Sequence, residues 1–388
     1  MREKDFYEFR GIDLTVRREK IRRAMELIPP RDAADVPVIA HTPCYFGFGC
    51  APVPKEYWKE PAVMLAFQQE GYARHLHEIQ DDVIPYFMPW FGTGVLASAF
   101  GCAMKEATGN GDDPAVASCA IKKVEDIVHL KRPQIGSSGW MPRVLQFMEY
   151  AAKHGEMPVG YTDLNSPLCT AAQIAGYDNL FYWMYDEPEA VDDLLSMIVE
   201  AFIDWVKLQR EITGDEPGRS GGLQGVWTPK GGVWLSDDDL VSINAEFYER
   251  YLLEHYSRIF SMFGGGHLHY CGTGTHQIEN ILKIEGLTAV NNSPLGDSQA
   301  FAHLAKACSG RLALEIQDAA PLTPDSYYRK IFSGLSDMTG IMVTTFVEDA
   351  LAMDDEGHTV FAERNPIDAA NAVVRAVREA AAFVMSAE

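Results

Sequence analysis

The sequence predicts an α/β protein whose strands close into a single (β/α)8 barrel. Short apolar, β-branched runs alternate with amphipathic helical stretches along the chain, the pattern of a parallel sheet covered by helices. Eight such runs can be counted, which is the number that closes a barrel of this kind. A doubly wound open sheet is the alternative, but no Gly-x-Gly-x-x-Gly follows the first strand to support a dinucleotide site.

The predicted elements follow one another in a regular order after a helix near Leu14–Leu27. The strands are expected at VPVIA, VIPYFMPW, MPVGYTDL, LQGVWTP, GHLHYC, LTAVNNS, LALEIQD and IMVTTFVED. Between the second and the third of them the chain is polar and broken, which indicates an insertion. We therefore expect a helical extension over residues 1–35 and a barrel over 36–388, interrupted by an insertion around 105–137.

The charge balance limits the classes of partner. The chain has 33 Lys and Arg against 55 Asp and Glu, a formal net charge of −22. Such an excess repels nucleic-acid phosphates and anionic membrane surfaces. The densest basic run, VRREKIRR, fits the solvated face of the N-terminal helix. We therefore expect a small-molecule substrate and no nucleic acid or membrane partner. The oligomeric state, monomer or homodimer, stays open.

Cysteine usage and hydropathy indicate a cytoplasmic protein. The N-terminal MREKDFYEFR has no apolar segment of a secretory signal. The uncharged run Val83–Met104 contains prolines and glycines that would interrupt a spanning helix, so a buried strand with a loop is favoured. Seven cysteines without regular short spacing argue against a disulfide framework and for reduced thiols.

Polar residues follow nearly every predicted strand. In a (β/α)8 barrel the catalytic groups lie at the C-terminal ends of the strands, where these residues would meet. In a strand that only packs in an apolar core, polar side chains would be unfavourable, because burying them without partners costs free energy. In strand order they are His41 and Cys44, Asp163 and Asn165, Trp227, His267 with His269 and Cys271, Asn291 and Asn292, Gln317 and Asp318, and Glu348 and Asp349.

The fifth strand carries the sharpest signal, in the stretch FGGGHLHYCGTGTH. Alternation places His267, His269 and Cys271 on one face, which points inward in a barrel. Imidazole nitrogen and thiolate sulfur suit Zn²⁺ in a tetrahedral shell. In the alternative interpretation one histidine is a hydrogen-bonded core residue and Cys271 packs as a small hydrophobe. The residues of this strand supply only half a metal site, so both interpretations stay open at this point.

Several long segments resemble a known superfamily. GGGHLHYCGTGTHQIENILKIEGLTAVNNSP resembles the corresponding region of the uroporphyrinogen decarboxylase superfamily, and its His-x-Cys-Gly form resembles the zinc- and cobalamin-dependent methyltransferases of the methylcobalamin:coenzyme M type. YTDLNSPLCTAAQIAGYDNLFYWMYDEPEAVDDLL and GGVWLSDDDLVSINAEFYERYLLEHYSRIF resemble the same superfamily. The resemblance covers most of the chain from about Met157 onward and implies a single (β/α)8 barrel, in agreement with the strand count.

The resemblance implies a zinc site with His269 and Cys271 as its first two ligands. The family's third ligand is a Cys at the end of the last strand, and GIMVTTFVEDA has none. Glu348 stands at about that position, and a carboxylate can complete a zinc shell. His267, one alternation earlier in the fifth strand, is a possible substitute. Whether the third ligand is Glu348, His267 or absent stays open.

The function that the resemblance implies is zinc-assisted methyl transfer between a cobalamin, or a corrinoid protein, and a small acceptor. Three protein ligands would leave one coordination position for the acceptor. Asn291, Asp163 and His41, together with Glu348, are expected to position that acceptor.

The alternative function is that of a uroporphyrinogen decarboxylase-like carboxy-lyase or tetrapyrrole-binding protein without a metal. A porphyrinogen with many carboxylates calls for arginines near the first strand, and the loop HTPCYFGFGC holds no Arg or Lys. Tyr45 and Phe46 of that loop, with Trp227, are instead expected to contact an aromatic ligand or the face of a corrin ring.

Two further groups of residues are expected to be structural. Asp237–Asp239 follow WLS, so we expect them to cap a helix and to be solvated. His75 and His77 lie two apart on a predicted helix and are both expected at the surface.

Overall fold

The computed structural model describes residues 6–42, 53–108, 112–214, 232–293, 298–348, 351–354 and 357–386. Its strands are β1 Glu8–Phe9, β2 Ile12–Asp13, β3 Val38–His41, β4 Ala103–Lys105, β5 Ala115–Ser118, β6 Val233–Ser236, β7 Gly266–His269, β8 Ala289–Asn292, β9 Ala313–Ala319, β10 Ile341–Phe346, β11 Leu351–Met353 and β12 Thr359–Phe361.

Thirteen α-helices accompany these strands within the described residues. They are α1 Thr15–Met25, α2 Pro61–Glu78, α3 Val95–Ala99, α4 Met141–His154, α5 Pro167–Ala175, α6 Tyr177–Asp186, α7 Pro188–Thr213, α8 Ala245–Tyr251, α9 Leu253–Phe263, α10 Ile278–Ile281, α11 Ser298–Cys308, α12 Pro324–Phe332 and α13 Pro366–Ser386. No helix in the described part of the chain is both long and apolar enough to span a membrane.

Six of the strands form one parallel sheet in the order β3-β10-β9-β8-β7-β6. Two extended segments connect its outer strands. The N–H of Asp82 donates to the carbonyl of Val38 in β3, and Phe87 pairs in parallel with Val159. Asn165 in turn pairs in parallel with Ser236 of β6. The α/β class is confirmed, and this ring of parallel segments is compatible with the predicted barrel.

The strand next to β7 is not the segment predicted from the sequence. The predicted fourth strand, LQGVWTP with Trp227, lies outside the described residues. Beside β7 the structure instead has β6, whose four residues Val233–Ser236 are all buried. The run VWLS is short and is followed directly by three aspartates, so its local pattern resembles the start of a helix. Only its pairing with β7 identifies it as a strand.

Glycines before β7 allow it to lie close to β6. Gly264 ends α9 in the left-handed conformation, with φ of 81°. Gly266 has φ of 151°, and a Cβ built on it would lie 2.0 Å from the carbonyl oxygen of Val233. No side chain fits between the two strands at this point, so the run of glycines in FGGGH has a steric cause.

One face of the sheet carries a series of polar side chains. The pairing places Ser236 opposite His269, His269 opposite Asn291, and Asn291 opposite Glu315. Paired residues share a face because side chains alternate along each strand. Thr344 of β10 donates to Glu315 over 2.5 Å and extends the series. In the ring of strands this face is the interior, as predicted for the fifth strand.

The opposite face is covered by helices and also contains buried polar groups. Asp318, predicted near the end of the seventh strand, accepts hydrogen bonds from the hydroxyl of Tyr328 on α12 at 2.9 and 3.1 Å. It therefore points away from the interior of the ring. Burial raises the pKa of this carboxyl to about 7.

The expectation that His75 lies at the surface is wrong. His75 is fully buried between α2 and the sheet, where its Nε2 lies 3.0 Å from Asp81 and its Nδ1 lies 3.2 Å from the hydroxyl of Thr42. Its neighbour on the helix, His77, is exposed as expected. Side chains two residues apart on a helix point in different directions. Here that of His75 points into the core and that of His77 points to solvent.

The ranges expected to be an extension and an insertion contain local structure of their own. Near the N-terminus β1 and β2 form an antiparallel pair before α1. Helix α1 is joined to the barrel by the buried ion pair of Lys20 with Asp82, at 2.7 Å. In the second range β4 and β5 form another antiparallel pair. Neither pair belongs to the six-stranded sheet.

Candidate metal centre

Three side chains with metal-binding atoms converge at the C-terminal ends of β6 and β7. Asp238, His269 and Cys271 each offer one ligand atom, and these atoms lie within 4.8 Å of one another. The Nε2 of His269 is 3.5 Å from the sulfur of Cys271 and 3.4 Å from a carboxylate oxygen of Asp238. Nitrogen, sulfur and carboxylate oxygen together are a donor set that Zn²⁺ accepts.

The pairing of the two strands brings these residues together. Ser236 and His269 are paired at the ends of β6 and β7, and the N–H of Asp237 donates to the carbonyl of His269 over 2.8 Å. The next residue, Asp238, therefore lies beside His269. Its carboxylate also accepts the backbone N–H of Cys271, at 2.7 Å.

Asp237 is at the N-cap position of a short 3-10 helix, Asp238–Ser242, as expected, but the expectation that Asp237–Asp239 are solvated is wrong for two of the three. Asp237 is fully buried, and its carboxylate accepts hydrogen bonds from Ser166 and from Tyr256, each at 2.7 Å. Burial raises the pKa of Asp237 to about 7. Asp239 is also buried, and only Asp238 is exposed. Ser166 and Tyr256 thus anchor the turn after β6 through Asp237, while the carboxylate of Asp238 faces His269.

Asn291 fixes the orientation of the His269 ring. The side-chain oxygen Oδ1 of Asn291 lies 2.6 Å from Nδ1 of His269. This oxygen can only accept a hydrogen bond, so Nδ1 carries the proton. When the ring is neutral, as a metal-ligating imidazole must be, the lone pair is on Nε2, the nitrogen that faces Asp238 and Cys271. Trp234 stacks against the ring with 5.5 Å between centroids and 16° between planes. A metal-ligating histidine is commonly held in this way by a partner on its other nitrogen.

The electrostatics of the cluster favour a positive charge at this point. Burial lowers the pKa of His269, but Asp238 and Cys271 have the larger combined effect and raise it to about 10. For Asp238 burial acts in the other direction and raises the pKa, yet the hydrogen bond and charge of His269 keep the pKa of this carboxyl below its usual value. Asp238 and Cys271 thus favour a positive charge beside them, which a bound metal ion would supply.

Asp163 lies on the inner face next to this cluster. The hydroxyl of Ser236 donates to one of its oxygens at 3.2 Å and itself accepts from the indole of Trp234 at 2.7 Å. The other oxygen, Oδ2, is buried without a hydrogen-bond partner. Burial raises the pKa of Asp163 to about 7. This carboxyl can therefore exchange a proton with a bound molecule near neutral pH.

His267 belongs to a separate polar group deeper in the interior. It is fully buried, and its Nδ1 is 3.4 Å from the buried carboxylate of Glu315. Neither ring nitrogen of His267 has a hydrogen bond, and the amide nitrogen of Asn291 has none either. Buried polar atoms of this kind are usually satisfied by water or by a ligand. The interior is therefore suited to a polar molecule. His267 is not one of the three residues that cluster at the strand ends, so it does not serve as the substitute ligand there.

The remaining predicted site residues are placed differently. Glu348, expected to be the third ligand, is not in the cluster, where Asp238 provides the carboxylate. The carbonyl of Glu348 accepts from Arg364 at 3.4 Å, at the end of the last strand. His41 is buried and stacks on Phe346, with 5.2 Å between ring centroids. Outside the described residues lie Cys44, Tyr45, Phe46, Trp227 and Asp349.

Sequence reasoning missed Asp238 as a candidate ligand because it relied on the third ligand implied by the resemblance, which was expected far away in the chain at Glu348. The available signal was the position of Asp238 directly after the apolar run VWLS. Had that run been interpreted as a strand, Asp238 would have joined the polar residues expected at the strand ends.

Comparisons with known proteins agree with this architecture. Residues 81–215 match the family model of uroporphyrinogen decarboxylase (URO-D). Among solved structures, a methyltransferase from Methanosarcina mazei has the same fold with a TM-score of 0.65 and 16% sequence identity, over 94% of this chain and 98% of that chain. No curated protein matches the sequence. The predicted resemblance to the uroporphyrinogen decarboxylase superfamily is thereby confirmed over residues 81–215, and the fold of the whole chain is shared with a solved methyltransferase.

Proposed function

We propose that this protein is a zinc-assisted methyltransferase that moves a methyl group between a corrinoid and a small acceptor. The observation that carries the proposal is the cluster of Asp238, His269 and Cys271, with Nε2 of the histidine directed at the other two by Asn291. The fold shared with a solved methyltransferase supports the same class of activity.

The three residues would hold the ion and leave one position of a tetrahedral shell free, the pattern of catalytic zinc. When bound, zinc lowers the pKa of a group that coordinates it and so makes the acceptor a better nucleophile. Cys271 and Asp238 would bind as anions. His269 would bind through Nε2 as a neutral imidazole, with its proton kept on Nδ1 by Asn291.

The other polar residues of the inner face would act on the acceptor. The unpartnered Oδ2 of Asp163 is available to accept the proton that the acceptor loses, while Ser236, itself held by the indole of Trp234, donates to the other oxygen. The amide nitrogen of Asn291 is available to donate to the acceptor.

The partner and the compartment complete the proposal. A corrinoid, free or carried by a protein, would bring the methyl group to the C-terminal ends of the strands. The five cysteines in the described part of the chain are free thiols, which is expected of a cytoplasmic protein.

A second candidate is a metal-free carboxy-lyase, which the match of residues 81–215 to uroporphyrinogen decarboxylase favours. The polar interior with Glu315 and His267 could serve a small carboxylic acid as well as an acceptor of methyl groups. This candidate requires no ion at Asp238, His269 and Cys271.

Metal analysis and single-turnover kinetics separate the two candidates. We expect protein purified without chelators to contain about one zinc ion per chain, and to demethylate methylcobalamin in the presence of a panel of small thiols, alcohols and amines. Cys271→Ala should abolish both properties, since it removes a ligand. Cys119→Ala, at a thiol outside the cluster, is the matched control. If zinc-supplied wild type binds no zinc, or if Cys271→Ala transfers methyl groups as fast as wild type, the proposal is wrong.

A further inference from the structure

A second cavity lies away from the metal centre, between the first turns of α2 and the N-terminal half of α4. Its volume is about 200 Å³. Pro61 and Met64 line it from α2, and Arg143 and Phe147 line it from α4. None of the lining residues belongs to the metal cluster or to its hydrogen-bonding partners. A ligand here would not compete directly for the metal site.

The walls of this cavity are largely aromatic and are held in place. Tyr57 and Trp58 are buried and pack edge to face, with 5.3 Å between ring centroids. The hydroxyl of Tyr57 accepts a hydrogen bond from Gln68 at 2.8 Å, which fixes the ring. Phe91 and Phe147 complete the apolar lining. Such a preformed aromatic wall favours a flat, apolar ring in the ligand.

The charge of the cavity is opposite to that of the whole protein. Lys59 and Arg143 both line it, and none of its described lining residues is acidic. The chain as a whole has a formal net charge of −22. Arg143 is already paired with Glu106, which does not line the cavity, so Lys59 and the unused donor of Arg143 are the groups that favour an anionic ligand at this place.

The wall also contains hydrogen-bond donors without acceptors. Arg143 donates its Nη2 to Glu106 at 2.8 Å and stacks over Trp140, but its Nη1 is buried without a hydrogen bond. The indole nitrogen of Trp58 has no acceptor either. A buried donor without a partner costs free energy, and a carboxylate would relieve that cost. The Arg143 side chain is 41% exposed, so its guanidinium has room to turn toward a ligand.

We propose that this cavity binds a small aromatic carboxylate. The carboxylate would accept from Nη1 of Arg143 and pair with Lys59, while the ring would pack against Trp58 and Phe91. The cavity is smaller than the roughly 300 Å³ at which drug-sized ligand sites begin, so a single substituted ring is the appropriate size. This inference does not depend on the zinc-assisted reaction proposed above.

Calorimetric titration tests the inference with benzoate, phenylacetate and 4-hydroxybenzoate, and with benzyl alcohol as the neutral analogue. We expect saturable binding of at least one acid below 1 mM, the affinity level of weak specific ligands, at about one site per chain, and binding of benzyl alcohol at least about tenfold weaker. Arg143→Gln should weaken acid binding about tenfold or more. Arg132→Gln removes the same charge from an exposed arginine paired with Asp204, and should leave binding unchanged.

Three results would overturn the inference. They are no saturable binding of any of the three acids, equal binding of benzyl alcohol, and wild-type affinity in Arg143→Gln. Circular dichroism establishes that each variant folds. If Arg143→Gln does not fold, Lys59→Gln takes its place, because Lys59 is exposed, and unchanged affinity in that variant overturns the inference equally. Zinc content measured in the same samples keeps the result separate from that of the metal centre.

Discussion

The backbone N–H of Asp237 donates to the carbonyl oxygen of His269 over 2.8 Å and joins the ends of β6 and β7. This single hydrogen bond sets the place of Asp238, whose carboxylate then lies 3.4 Å from Nε2 of the same histidine. The carboxylate of Asp237 accepts hydrogen bonds from the hydroxyls of Ser166 and Tyr256. Two consecutive aspartates thus have different tasks, one anchoring the turn and the other facing the metal site.

The identity of the carboxylate ligand can be tested with one pair of variants. We expect Asp238→Asn to weaken zinc binding by at least about tenfold, because a neutral amide replaces an anionic ligand. Glu348→Gln, which makes the same chemical change outside the cluster, should leave the affinity within about twofold of wild type. Competition with a chromogenic chelator measures both. The reverse order of effects would return the third-ligand role to Glu348, as the sequence predicted.

Asn291 is expected to act through His269. Asn291→Ala removes the acceptor from Nδ1, so the ring can turn and can move its proton to Nε2. Loss of such an orienting partner typically lowers metal affinity or activity by about 10–100-fold, and we expect a loss in that range. The control is Asn179→Ala on α6, where the side-chain amide donates a hydrogen bond to the carbonyl of Ala175 at 2.9 Å, outside the cluster. Chelator competition and zinc-edge absorption spectra together report affinity and ligand geometry, and unaltered values in Asn291→Ala would contradict this role.

Asp318 should make stability depend on pH. Its pKa is raised by burial to about 7, so the folded state binds this proton more tightly than the unfolded state, whose value is 3.8. The free energy of unfolding should therefore fall as the pH rises from about 4 to about 7 and then level off. Asp318→Asn should remove this contribution, giving a gain over wild type at pH 8 that disappears by about pH 4.

Urea denaturation at several pH values measures this effect, with Asp325→Asn as the control at an exposed carboxyl of α12. The control should follow the wild-type pH dependence. If the difference between Asp318→Asn and wild type is the same at pH 5 and pH 8, the assigned pKa shift is wrong.

The two histidines of α2 should differ sharply in their contribution to stability. His75→Ala leaves a cavity and removes a hydrogen-bonding partner from the buried Asp81, so we expect a loss of about 2–5 kcal/mol in the free energy of unfolding. The exposed His77→Ala should change it by less than about 0.5 kcal/mol. Chemical denaturation of the two variants side by side decides the matter, and similar small losses in both would place His75 at the surface after all.

The sequence was sufficient to predict the α/β class and the placement of His269 beside Cys271. The alternation in GHLHYC correctly places His269 and Cys271 side by side, because a period of two is a local property of a strand. The resemblance to the uroporphyrinogen decarboxylase superfamily is confirmed over residues 81–215, which include the segment YTDLNSPLCTAAQIAGYDNLFYWMYDEPEAVDDLL.

The features that the sequence did not reveal depend on contacts between distant segments. Asp238 and His269 are 31 positions apart, and only the pairing of β6 with β7 brings them together. The burial of His75 likewise depends on Asp81 and Thr42, which lie on other elements. A periodic pattern defines which face of an element is apolar, but not which polar residue on another element will satisfy a group buried there.

Gly266 has a consequence for the interpretation of mutations. It contributes no ligand atom, yet any side chain there would collide with the carbonyl of Val233 and separate the lower ends of β6 and β7. The displacement would propagate three residues along β7 to His269 and across to Asp238. In a random screen for inactive clones, substitutions of this glycine would resemble losses of a ligand, although the position has no chemistry of its own.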